Sequence, residues 1–590
     1  MAARVGAVQH RWLDASELRI GLGCMRLSTD DARDEAVALD TIAAAAAAGV
    51  TVFDTAHAYG RDEAELGHNE RLVARALRRS GAEQSARIVT KGGMARAGGG
   101  WVPDGRAKTI LAGCEASLLS LDGLEIDLYL IHAPDPRTPW GTSLRALARI
   151  REEGLARRVG VSNVNRRRLD EALELAPIAA VQVALSPFDD RALRGGVVER
   201  STEAGIAVIA HSPLGGPKRA GRLARIDALA AAAGALGATP AEVALAWLLG
   251  LSPALIAIPG ARRPETARSA AAAAGLRLDA EQGAAIDCAL GRVAPARSRR
   301  ASAAGGADVV VVMGIPGAGK SRIAEEHVGR GYLRLNRDER GGSLRDVAGA
   351  LEEALAAGAR RVVLDNTYLT RAARNEVIEI AGRHGAGVRC IWLDTPLAQV
   401  QVNLVERLLD RLGALPEPDE LRVLARREPG LLAPTSQMRT VRELEPPSED
   451  EGFASVERRA FARAPRPAGS TAGVFLAAGA ALRDGWEEVL GEARADAPHL
   501  VFDWNPDGDR AVLDAVTRRL AAVVSGPLEA ALCPHAAGPP RCWCRPPLPG
   551  LPLAFARAHG VHPSGSLLVG TGPAHRSLAA ALGARYAQVA

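Results

Sequence analysis

The stretch Asp308-Val-Val-Val-Val-Met-Gly-Ile-Pro-Gly-Ala-Gly-Lys-Ser321 decides the fold of the middle of the chain. Its apolar, β-branched run predicts a buried strand that leads straight into the pattern Gly-x-x-x-x-Gly-Lys-Ser. In such a loop the backbone N–H groups approach phosphate oxygens, Lys320 contacts the β- and γ-phosphates, and the hydroxyl of Ser321 binds Mg²⁺. The glycines that permit this approach are Gly314, Gly317 and Gly319. The stretch therefore predicts a site for ATP and Mg²⁺ that opens an α/β domain.

Long segments precede and follow this loop, so the chain of 590 residues is expected to contain several domains. Stretches rich in Ala, Arg, Pro, Gly and Ser predict linkers. The predicted division is a first domain at 1–295, a linker at 296–306, a second domain at 307–455, a linker at 456–470 and a third domain at 471–590.

Composition favours a multi-domain protein of the cytoplasm. With 47% hydrophobic and 24% charged residues, the chain can bury several cores, and its first twenty residues contain no apolar segment of the kind that targets or anchors a protein. We therefore expect no membrane partner. A net charge of +5 is too small to indicate a nucleic-acid partner by itself.

Lysine is rare in this chain and marks positions where chemistry requires an amine. Of 73 basic residues, four are lysine: Lys91, Lys108, Lys218 and Lys320. Arginine stays protonated and does not fit a compact ammonium site, so a functional amine must remain lysine even where arginine is otherwise preferred. Lys91 and Lys320 are the two candidates, and the other two are expected to be ordinary surface residues.

The first domain alternates short apolar runs with helical patterns, which predicts a TIM (β/α)8 barrel. The eight predicted strands are Leu18–Cys24, Val50–Thr55, Arg87–Lys91, Asp127–His132, Arg158–Ser162, Ala180–Leu185, Ile206–His211 and Leu255–Pro259. In such barrels the active site lies at the carboxyl ends of the strands. Polar residues, among them Asp54, Lys91 and His132, stand at these ends, so we expect a functional site there.

These residues resemble the aldo-keto reductase superfamily. The motifs are Phe53-Asp-Thr-Ala-His-Ala-Tyr-Gly60, Val89-Thr-Lys91, Leu130-Ile-His132, Gly160-Val-Ser-Asn163, Val181-Gln182, Ser212-Pro-Leu214 and Ile258-Pro-Gly260. The resemblance implies that Tyr59 is the general acid, that Lys91 and Asp54 tune it, and that His132 orients a small carbonyl substrate. An adjacent ammonium lowers the pKa of a tyrosine, which suits Tyr59 for this role. Taken singly, Tyr59 and His132 are more often core residues and Asp54 a helix cap.

The same resemblance implies a nicotinamide cofactor, NADPH or NADH, because no side chain donates a hydride. Ser162, Asn163 and Gln182 are expected to bind its carboxamide. His211 stands where an aromatic residue often stacks on the nicotinamide. The further residues expected along the cofactor are Ser212, Pro213, Leu214, Pro259 and Gly260, and Arg262, Arg263 or Arg268 is expected to meet an adenosine 2′-phosphate.

In the second domain, the glycine loop is followed by Asn336-Arg-Asp338, Asp365-Asn-Thr367 and Arg407 with Arg411. These motifs resemble the polynucleotide kinase branch of P-loop phosphotransferases. The resemblance implies that Asp338 is the base facing a 5′-hydroxyl of DNA or RNA, and that Lys320 and Arg407 stabilise the charge on the transferred phosphoryl group. The alternatives are a helix cap for Asp338 and a solvated charged face for the two arginines.

The third domain contains Cys533, His535, Cys542 and Cys544 within twelve residues, which indicates a structural Zn²⁺ site. This segment resembles the zinc-loop branch of haloacid-dehalogenase-like phosphatases, such as histidinol-phosphate phosphatases. The first strand, Gly473–Gly479, lacks the Asp-x-Asp of that family, and the later aspartates are also missing. A phosphatase without a nucleophilic carboxylate cannot form a phosphoenzyme, so we expect a catalytically degenerate α/β domain.

Together these features predict a bifunctional enzyme that reduces an aldehyde or ketone and phosphorylates an acceptor, with a polynucleotide 5′-hydroxyl as the expected acceptor. Two alternatives stay open. One is a nucleotide-sensing scaffold with little turnover, and the other is a small-molecule kinase fused to a reductase. The sequence leaves the carbonyl substrate, the oligomeric state and any coupling between the sites undetermined.

Overall fold

The computed structural model describes residues 12–291, 306–428, 430–462, 470–491 and 495–589. The chain divides into two compact units, residues 1–297 and 298–590. The first contains an eight-stranded sheet and a two-stranded hairpin, and the second contains two five-stranded sheets. Most of the predicted linker at 296–306 lies outside the described residues, so the predicted three-domain division stays a prediction.

Eight parallel strands of the first unit form a single sheet in the order β1-β2-β3-β6-β7-β8-β9-β10. The strands are β1 Leu22–Gly23, β2 Val52–Asp54, β3 Arg87–Gly92, β4 Met94–Ala97, β5 Gly100–Pro103, β6 Leu128–Ile131, β7 Arg158–Ser162, β8 Ile178–Ala184, β9 Ala207–His211 and β10 Leu255–Ile258. The helices are α1 Arg26–Thr29, α2 Glu35–Ala47, α3 His68–Ser80, α4 Ala107–Leu121, α5 Trp140–Glu152, α6 Arg166–Leu175, α7 Arg191–Arg194, α8 Val197–Ala204, α9 Asp227–Leu236, α10 Pro240–Gly250, α11 Pro264–Ala272 and α12 Ala280–Ala289.

The sheet is nearly closed into a barrel, which confirms the predicted architecture. Isolated bridges from Ile20 to Ala257 and from Gly23 to Gly260 connect the end of the sheet back to its first strand. Aliphatic side chains that include Val52, Leu128, Leu130, Ile209 and Ile256 fill the interior. A filled interior leaves the strand ends as the place for chemistry.

The first sheet of the second unit is parallel and has the order β12-β13-β11-β14-β15. Its strands are β11 Asp308–Met313, β12 Leu333–Leu335, β13 Arg361–Asp365, β14 Gly387–Asp394 and β15 Ser455–Ala460. Its helices are α13 Lys320–Val328, α14 Arg337–Arg340, α15 Leu344–Ala356, α16 Arg371–Arg383, α17 Leu397–Leu412, α18 Pro418–Arg427 and α19 Pro434–Glu443. The predicted strand before the glycine loop is β11, at the centre of the sheet, where the strand order changes direction and α/β folds bind their ligands.

The start of the predicted linker at 456–470 is wrong. Ser455–Ala460 form β15, which pairs in parallel with Arg389–Asp394 of β14. This edge strand reads Ser-Val-Glu-Arg-Arg-Ala and leaves most of its side chains half-buried or exposed, so it has no apolar run to reveal it. Residues 463–469 lie outside the described residues.

A buried ion pair connects α16 to the chain that leads into β15. Arg374 and Glu451 are both fully buried and form a bidentate pair with N–O distances of 2.8 and 2.6 Å. Arg374 Nη1 also donates to the carbonyl oxygens of Tyr368 at 3.0 Å and Glu445 at 2.9 Å. The guanidinium is therefore bonded on several sides, as a charge removed from water must be.

The last sheet is also parallel, in the order β18-β17-β16-β19-β20. Its strands are β16 Val474–Ala477, β17 His499–Trp504, β18 Leu528–Cys533, β19 Leu567–Gly570 and β20 Arg585–Gln588, and its helices are α20 Trp486–Leu490, α21 Ala511–Leu520, α22 Gly550–Ala558 and α23 Pro573–Leu582. The predicted α/β character of this region agrees with these elements. Its relationship to the haloacid-dehalogenase-like phosphatases stays a prediction.

Within the described part of the chain, no single helix has the length and apolar character needed to cross a membrane. One pair, α9 and α10, meets that test only when its two helices are taken together, and they are bent by 99°.

Candidate active sites and metal centre

Lys91 is the centre of a buried polar cluster at the carboxyl ends of β2 and β3. Its ammonium donates to both carboxylate oxygens of Asp54 at 2.7 and 2.8 Å and to the carbonyl oxygen of Thr55 at 2.8 Å. It also lies 3.1 Å from the hydroxyl oxygen of Tyr59. Three of the four predicted catalytic side chains are therefore in direct hydrogen-bond contact.

The fourth predicted side chain, His132, lies beside Tyr59. It follows β6, and the centres of the two rings are 5.6 Å apart. Trp101, on the hairpin of β4 and β5, packs edge-on against both, with ring centres 5.9 Å from Tyr59 and 6.0 Å from His132. Trp101 was not predicted as a site residue, because the Gly98-Gly-Gly100 run before it indicates a turn but not which site the turn covers.

The expectation that the pKa of Tyr59 is lowered is wrong. Burial raises the pKa of Tyr59 above its ordinary value, and the lowering by Lys91 does not overcome it. Burial on its own lowers the pKa of Lys91, but Asp54 and Tyr59 outweigh burial, so the pKa of Lys91 is raised. The prediction of a lowered tyrosine pKa left out the desolvation of the phenolate, which is the larger effect here.

His132 is held neutral in this pocket. Burial, together with the positive charge of Lys91 and the nearby His211, lowers the pKa of His132 well below its ordinary value. Its Nδ1 is buried and has no hydrogen-bond partner in the described structure. A neutral imidazole next to a phenol can donate one hydrogen bond to a carbonyl oxygen without adding a charge to the pocket.

The residues predicted to bind a nicotinamide carboxamide lie at the ends of β7 and β8, but they already have partners. Gln182 donates to Asp54 Oδ2 at 2.6 Å, and Asn163 donates to the carbonyl oxygen of His132 at 3.0 Å. His211 Nε2 lies 3.2 Å from Asn163 Oδ1. These contacts join the predicted cofactor residues to the predicted catalytic ones.

Two residues next to this cluster adopt backbone angles that are rare outside glycine. Asn163 has a φ of 57° and Ser212 a φ of 52°. Such angles strain the backbone of a non-glycine residue, and they concentrate at functional sites. Both residues are among those predicted to bind the cofactor.

The arginines predicted to meet a 2′-phosphate follow β10 on the rim of the barrel. Arg262 is exposed and forms an ion pair with Asp30 at 3.1 Å, while Arg268 is exposed on α11. Arg262 and Arg263 line a small cavity of about 200 Å³ together with Arg26 and Arg33. The remaining predicted cofactor residues lie at the same strand ends, Pro213 and Pro259 buried, Leu214 half-buried and Gly260 exposed.

The glycine loop of the second unit has the backbone that the sequence requires. Gly314, Gly317 and Gly319 have positive φ values of 157°, 89° and 96°. A β-carbon on Gly317 would lie 2.9 Å from a methyl carbon of Val400, so the loop is packed against α17. Ser321 is exposed in the first turn of α13.

Lys320 is turned back onto this loop. Its ammonium donates to the carbonyl oxygens of Gly314 at 3.0 Å and Ile315 at 3.2 Å. Burial lowers the pKa of Lys320 to about 8, partly offset by Asp365. Asp365 is buried at the end of β13 and is bound by Arg334 and Asn336. Asp365 was not predicted as a site residue, although a buried carboxylate beside a phosphate loop is a typical place for a group that acts on Mg²⁺.

The other predicted kinase residues are close enough to Lys320 to affect its charge: Asp338 raises the pKa of Lys320 and Arg407 lowers it. Asp338 is exposed in α14 and pairs with Arg337 at 3.1 Å, while the capping side chain of that helix is Asn336. Arg407 is half-buried, and burial lowers its pKa, with a further contribution from Arg411. The alternative of Asp338 as the helix cap is therefore wrong, and its role as a base stays a prediction.

The four predicted zinc ligands come together in the last part of the chain. The ligand atoms of Cys533, His535, Cys542 and Cys544 all lie within 4.8 Å of one another. The Sγ atom of Cys533 is 3.7 Å from that of Cys542 and 3.2 Å from that of Cys544, and His535 Nδ1 is 3.2 Å from Cys544 Sγ. Sulfur atoms about 2.3 Å from one tetrahedral ion are separated by roughly 3.8 Å, so this donor set fits Zn²⁺.

Comparison with known proteins agrees with this geometry. Residues 19–290 match the model of the Aldo/keto reductase family, and residues 309–420 match a model described as an AAA domain. An aldo-keto reductase of Strobilurus tenacellus is 31% identical over 272 residues, which cover 41% of this chain and 78% of that protein. A probable aldo-keto reductase of Glycine max is 30% identical over 277 residues, covering 41% of this chain and 76% of that protein.

Among solved structures, an aldo/keto reductase from Klebsiella pneumoniae in complex with NADP and acetate is 26% identical, with a TM-score of 0.41. The match covers 47% of this chain and 92% of that one.

The barrel with its buried Lys91 cluster defines a (β/α)8 oxidoreductase. Through residues 19–290 the chain belongs to the aldo/keto reductase family. Its second unit contains a P-loop kinase-like domain at 309–420.

Proposed function

We propose that the barrel reduces an aldehyde or ketone with NADPH, or less effectively with NADH. The contact of Lys91 with both Asp54 and Tyr59 carries this proposal, because it places a proton donor next to a fixed positive charge. The nicotinamide cofactor, when bound, supplies the hydride that reaches the carbonyl carbon.

The side chains of this chain supply the proton to the carbonyl oxygen and stabilise the negative charge that forms. Tyr59 donates its hydroxyl proton to the carbonyl oxygen as the alkoxide forms, and Lys91 stabilises the phenolate that is left. Asp54 keeps Lys91 charged at 2.7 Å, and neutral His132 donates a hydrogen bond that orients the carbonyl oxygen. The phenolate regains its proton from solvent after the alcohol leaves.

The reductase proposal is tested by following NADPH oxidation at 340 nm over a panel of small aldehydes and ketones. We expect turnover with at least one aldehyde and a higher kcat/KM with NADPH than with NADH. Saturable cofactor binding without oxidation on any member of a broad panel would contradict the proposal and favour the scaffold alternative.

We further propose that the P-loop domain transfers the γ-phosphate of ATP to the 5′-hydroxyl of a polynucleotide. The positive-φ glycine loop and the half-buried Lys320 support binding of ATP, and Ser321 and Asp365 would act on Mg²⁺. Asp338 is assigned as the base and Arg407 as a charge stabiliser, both from the resemblance to polynucleotide kinases. Such transfer depends on positioning and charge rather than on covalent catalysis.

An acceptor panel tests this second proposal. Full-length protein, ATP and Mg²⁺ are incubated with 5′-hydroxyl DNA, 5′-hydroxyl RNA, nucleosides and sugars, and labelled product is measured. Transfer to nucleic-acid ends is the expected result. Transfer only to nucleosides or sugars would replace the polynucleotide acceptor with a small molecule, and ATP binding without transfer would favour a sensing scaffold.

We also propose that Cys533, His535, Cys542 and Cys544 hold a structural Zn²⁺ ion in a catalytically degenerate phosphatase-like domain. Three thiolates and one imidazole fill a tetrahedral site, so the ion would have no open position for substrate. Metal analysis of the purified protein is expected to give one zinc per chain, and Cys542→Ser is expected to lower this value.

A further inference from the structure

The Cys/His cluster contacts the P-loop domain through the connection that follows α17. We name this stretch, residues 413–428 and 430–433, the connecting segment; it contains α18. At its start, Glu417 Oε2 lies 3.0 Å from His535 Nε2. His535 Nδ1 faces the thiols of Cys533 and Cys544 at 3.5 and 3.2 Å. The imidazole therefore links the donor set to the residue that precedes α18.

The part of the connecting segment that follows α18 contacts the same region of the chain. Trp543, between two of the cysteines, donates its indole N–H to the carbonyl oxygen of Leu432 at 2.9 Å. Leu415 packs against the buried cysteine side chains. A β-carbon on Gly550 would lie 3.0 Å from a methyl carbon of Leu415, so the two parts are in close contact. The connecting segment is thus held at both ends by residues of the cysteine region.

The connecting segment also lies against Arg407. A β-carbon on Gly430 would lie 3.0 Å from Arg407 Nη1, and Gly430 has a φ of 85° that favours glycine. Leu431 is buried in the same apolar cluster as Trp543 and Leu408. Contacts therefore run without a break from the cysteines, through Trp543 and the connecting segment, to the guanidinium of Arg407.

We propose that the Cys/His centre is a clamp on the kinase site: Zn²⁺ binding fixes the connecting segment and thereby positions Arg407 for phosphoryl transfer. The inference rests on the proposed kinase function. It gives the third domain, which is proposed to have no phosphatase activity, a role in positioning Arg407. Arg407 is here the group that acts on phosphate, and Glu417 and Trp543 are positioning residues.

The chemistry of zinc ligands supports this arrangement. A histidine that binds zinc through one ring nitrogen donates the N–H of the other to a carboxylate or carbonyl, which fixes its tautomer and orientation. Here that carboxylate is Glu417, which comes from the P-loop domain rather than from the domain of the ligands. Binding of the ion and ordering of the connecting segment are then linked equilibria, so each favours the other.

Amide hydrogen exchange of the full chain, with zinc and after its removal by a chelator, tests the clamp without any kinase assay. We expect zinc removal to accelerate exchange in the connecting segment about tenfold, with β11 and β13 unchanged. Trp543→Phe is expected to accelerate exchange in residues 430–433 with zinc still bound. The matched control is Trp486→Phe, because Trp486 is also buried but its indole N–H has no partner among the described residues.

Zinc affinity, measured by competition with a chromophoric chelator, provides a second readout. Glu417→Ala is expected to weaken zinc binding about tenfold, as loss of a group that orients a ligand does. Glu420→Ala, an exposed carboxylate on the same α18, should leave the affinity unchanged. Equal exchange of the connecting segment with and without zinc, or unchanged zinc affinity in Glu417→Ala, would overturn the clamp.

A phosphoryl-transfer assay then shows whether the clamp or the kinase proposal has failed. With the clamp in place, Trp543→Phe lowers transfer several-fold, whereas Trp486→Phe does not. A wild-type protein that transfers no phosphate to any acceptor ends the kinase proposal, while the exchange and affinity results still decide the clamp.

Discussion

Lys91 and Lys320, the two lysines expected to act in chemistry, have opposite surroundings. Lys91 is bound by a carboxylate and lies against a phenol, and its pKa is raised. Lys320 donates to two carbonyl oxygens of its own loop, and burial lowers its pKa to about 8. One ammonium is in direct contact with a carboxylate, and for the other the nearby Asp365 and Asp338 offset only part of the effect of burial.

The difference shows how two folds prepare a charged group. In the barrel, the end of β2 and the loop after it supply Asp54 and Tyr59 next to Lys91 of β3, so the site is organised by the scaffold itself. In the P-loop domain, Asp338 is exposed and forms an ion pair with Arg337. We expect ATP phosphates to complete the second site, since they add negative charge that Asp365 and Asp338 supply only in part.

The largest expected effect is on carbonyl reduction at the barrel site. Tyr59→Phe should lower kcat for carbonyl reduction by about 10²- to 10⁴-fold, the usual contribution of a general acid, with cofactor affinity retained. The measurement is steady-state NADPH oxidation together with cofactor titration by fluorescence. Tyr129→Phe is the control, because Tyr129 is a buried barrel tyrosine that donates to the carbonyl oxygen of Ile110 at 3.1 Å. Equal rates for wild type and Tyr59→Phe would remove the proposed proton donor.

The second largest expected effect is on phosphoryl transfer at the P-loop. Lys320→Met should lower phosphoryl transfer by about 10²- to 10³-fold, the usual loss when a donor to developing charge is removed. Carbonyl reduction by the same preparation should be unchanged, which also shows that the protein is folded. Lys108→Met, an exposed lysine on α4, is the matched control. If Lys320→Met keeps full transfer activity, the loop is not the site of the reaction.

The pH dependence of ATP affinity should separate the two lysines. The pKa of free Lys320 is lowered to about 8, and phosphate binding favours its charged form. ATP binding then takes up a proton above pH 8, so affinity is full below that pH and falls, by at most about tenfold per unit, as the pH rises. Isothermal titration between about pH 7 and 9 measures this fall.

Lys320→Arg is the control for this pH series, because its guanidinium stays charged throughout the range. Its ATP affinity should be flat with pH. NADPH binding should also be flat over the same range as far as Lys91 is concerned, since the pKa of Lys91 is raised. A wild-type ATP affinity that does not change with pH would contradict the assignment of Lys320.

The smallest expected effect is on cofactor selectivity. Arg268→Ala should lower the preference for NADPH over NADH about fivefold, since one exposed ion pair contributes roughly 1 kcal/mol. The ratio of kcat/KM values for the two cofactors measures it. Arg149→Ala, which removes an exposed arginine paired with Glu153 on α5, should not change the ratio. An unchanged ratio in Arg268→Ala would place the 2′-phosphate elsewhere.

The barrel was predictable because its strands are apolar and end in polar residues. Each predicted strand contains the observed one or overlaps most of it, and Asp54, Lys91 and His132 lie at or just after their ends. The contact of Gln182 with Asp54 was not predictable, since it depends on side-chain directions across the barrel. The raised pKa of Tyr59 was also missed, because burial cannot be read from a motif.

Sequence information was weaker in the second unit. The loop from Gly314 to Ser321 is recognisable from its glycines. The strand β15 is not recognisable from the sequence, because an exposed edge strand needs no apolar run. The close approach of the cysteines was predictable from their spacing. The contact of His535 with Glu417 joins residues more than a hundred positions apart, and only the folded chain shows it.

The Arg374–Glu451 pair sets a lower limit on the length of a self-sufficient P-loop domain. The matched family segment ends at residue 420, but Glu451 and β15 come later in the chain. A fragment that stops at 420 would lack Glu451, the carbonyl oxygen of Glu445 and β15, so Arg374 would lose its carboxylate and part of its hydrogen bonding. During synthesis, the sheet therefore cannot reach its final stability until residues up to 460 have left the ribosome.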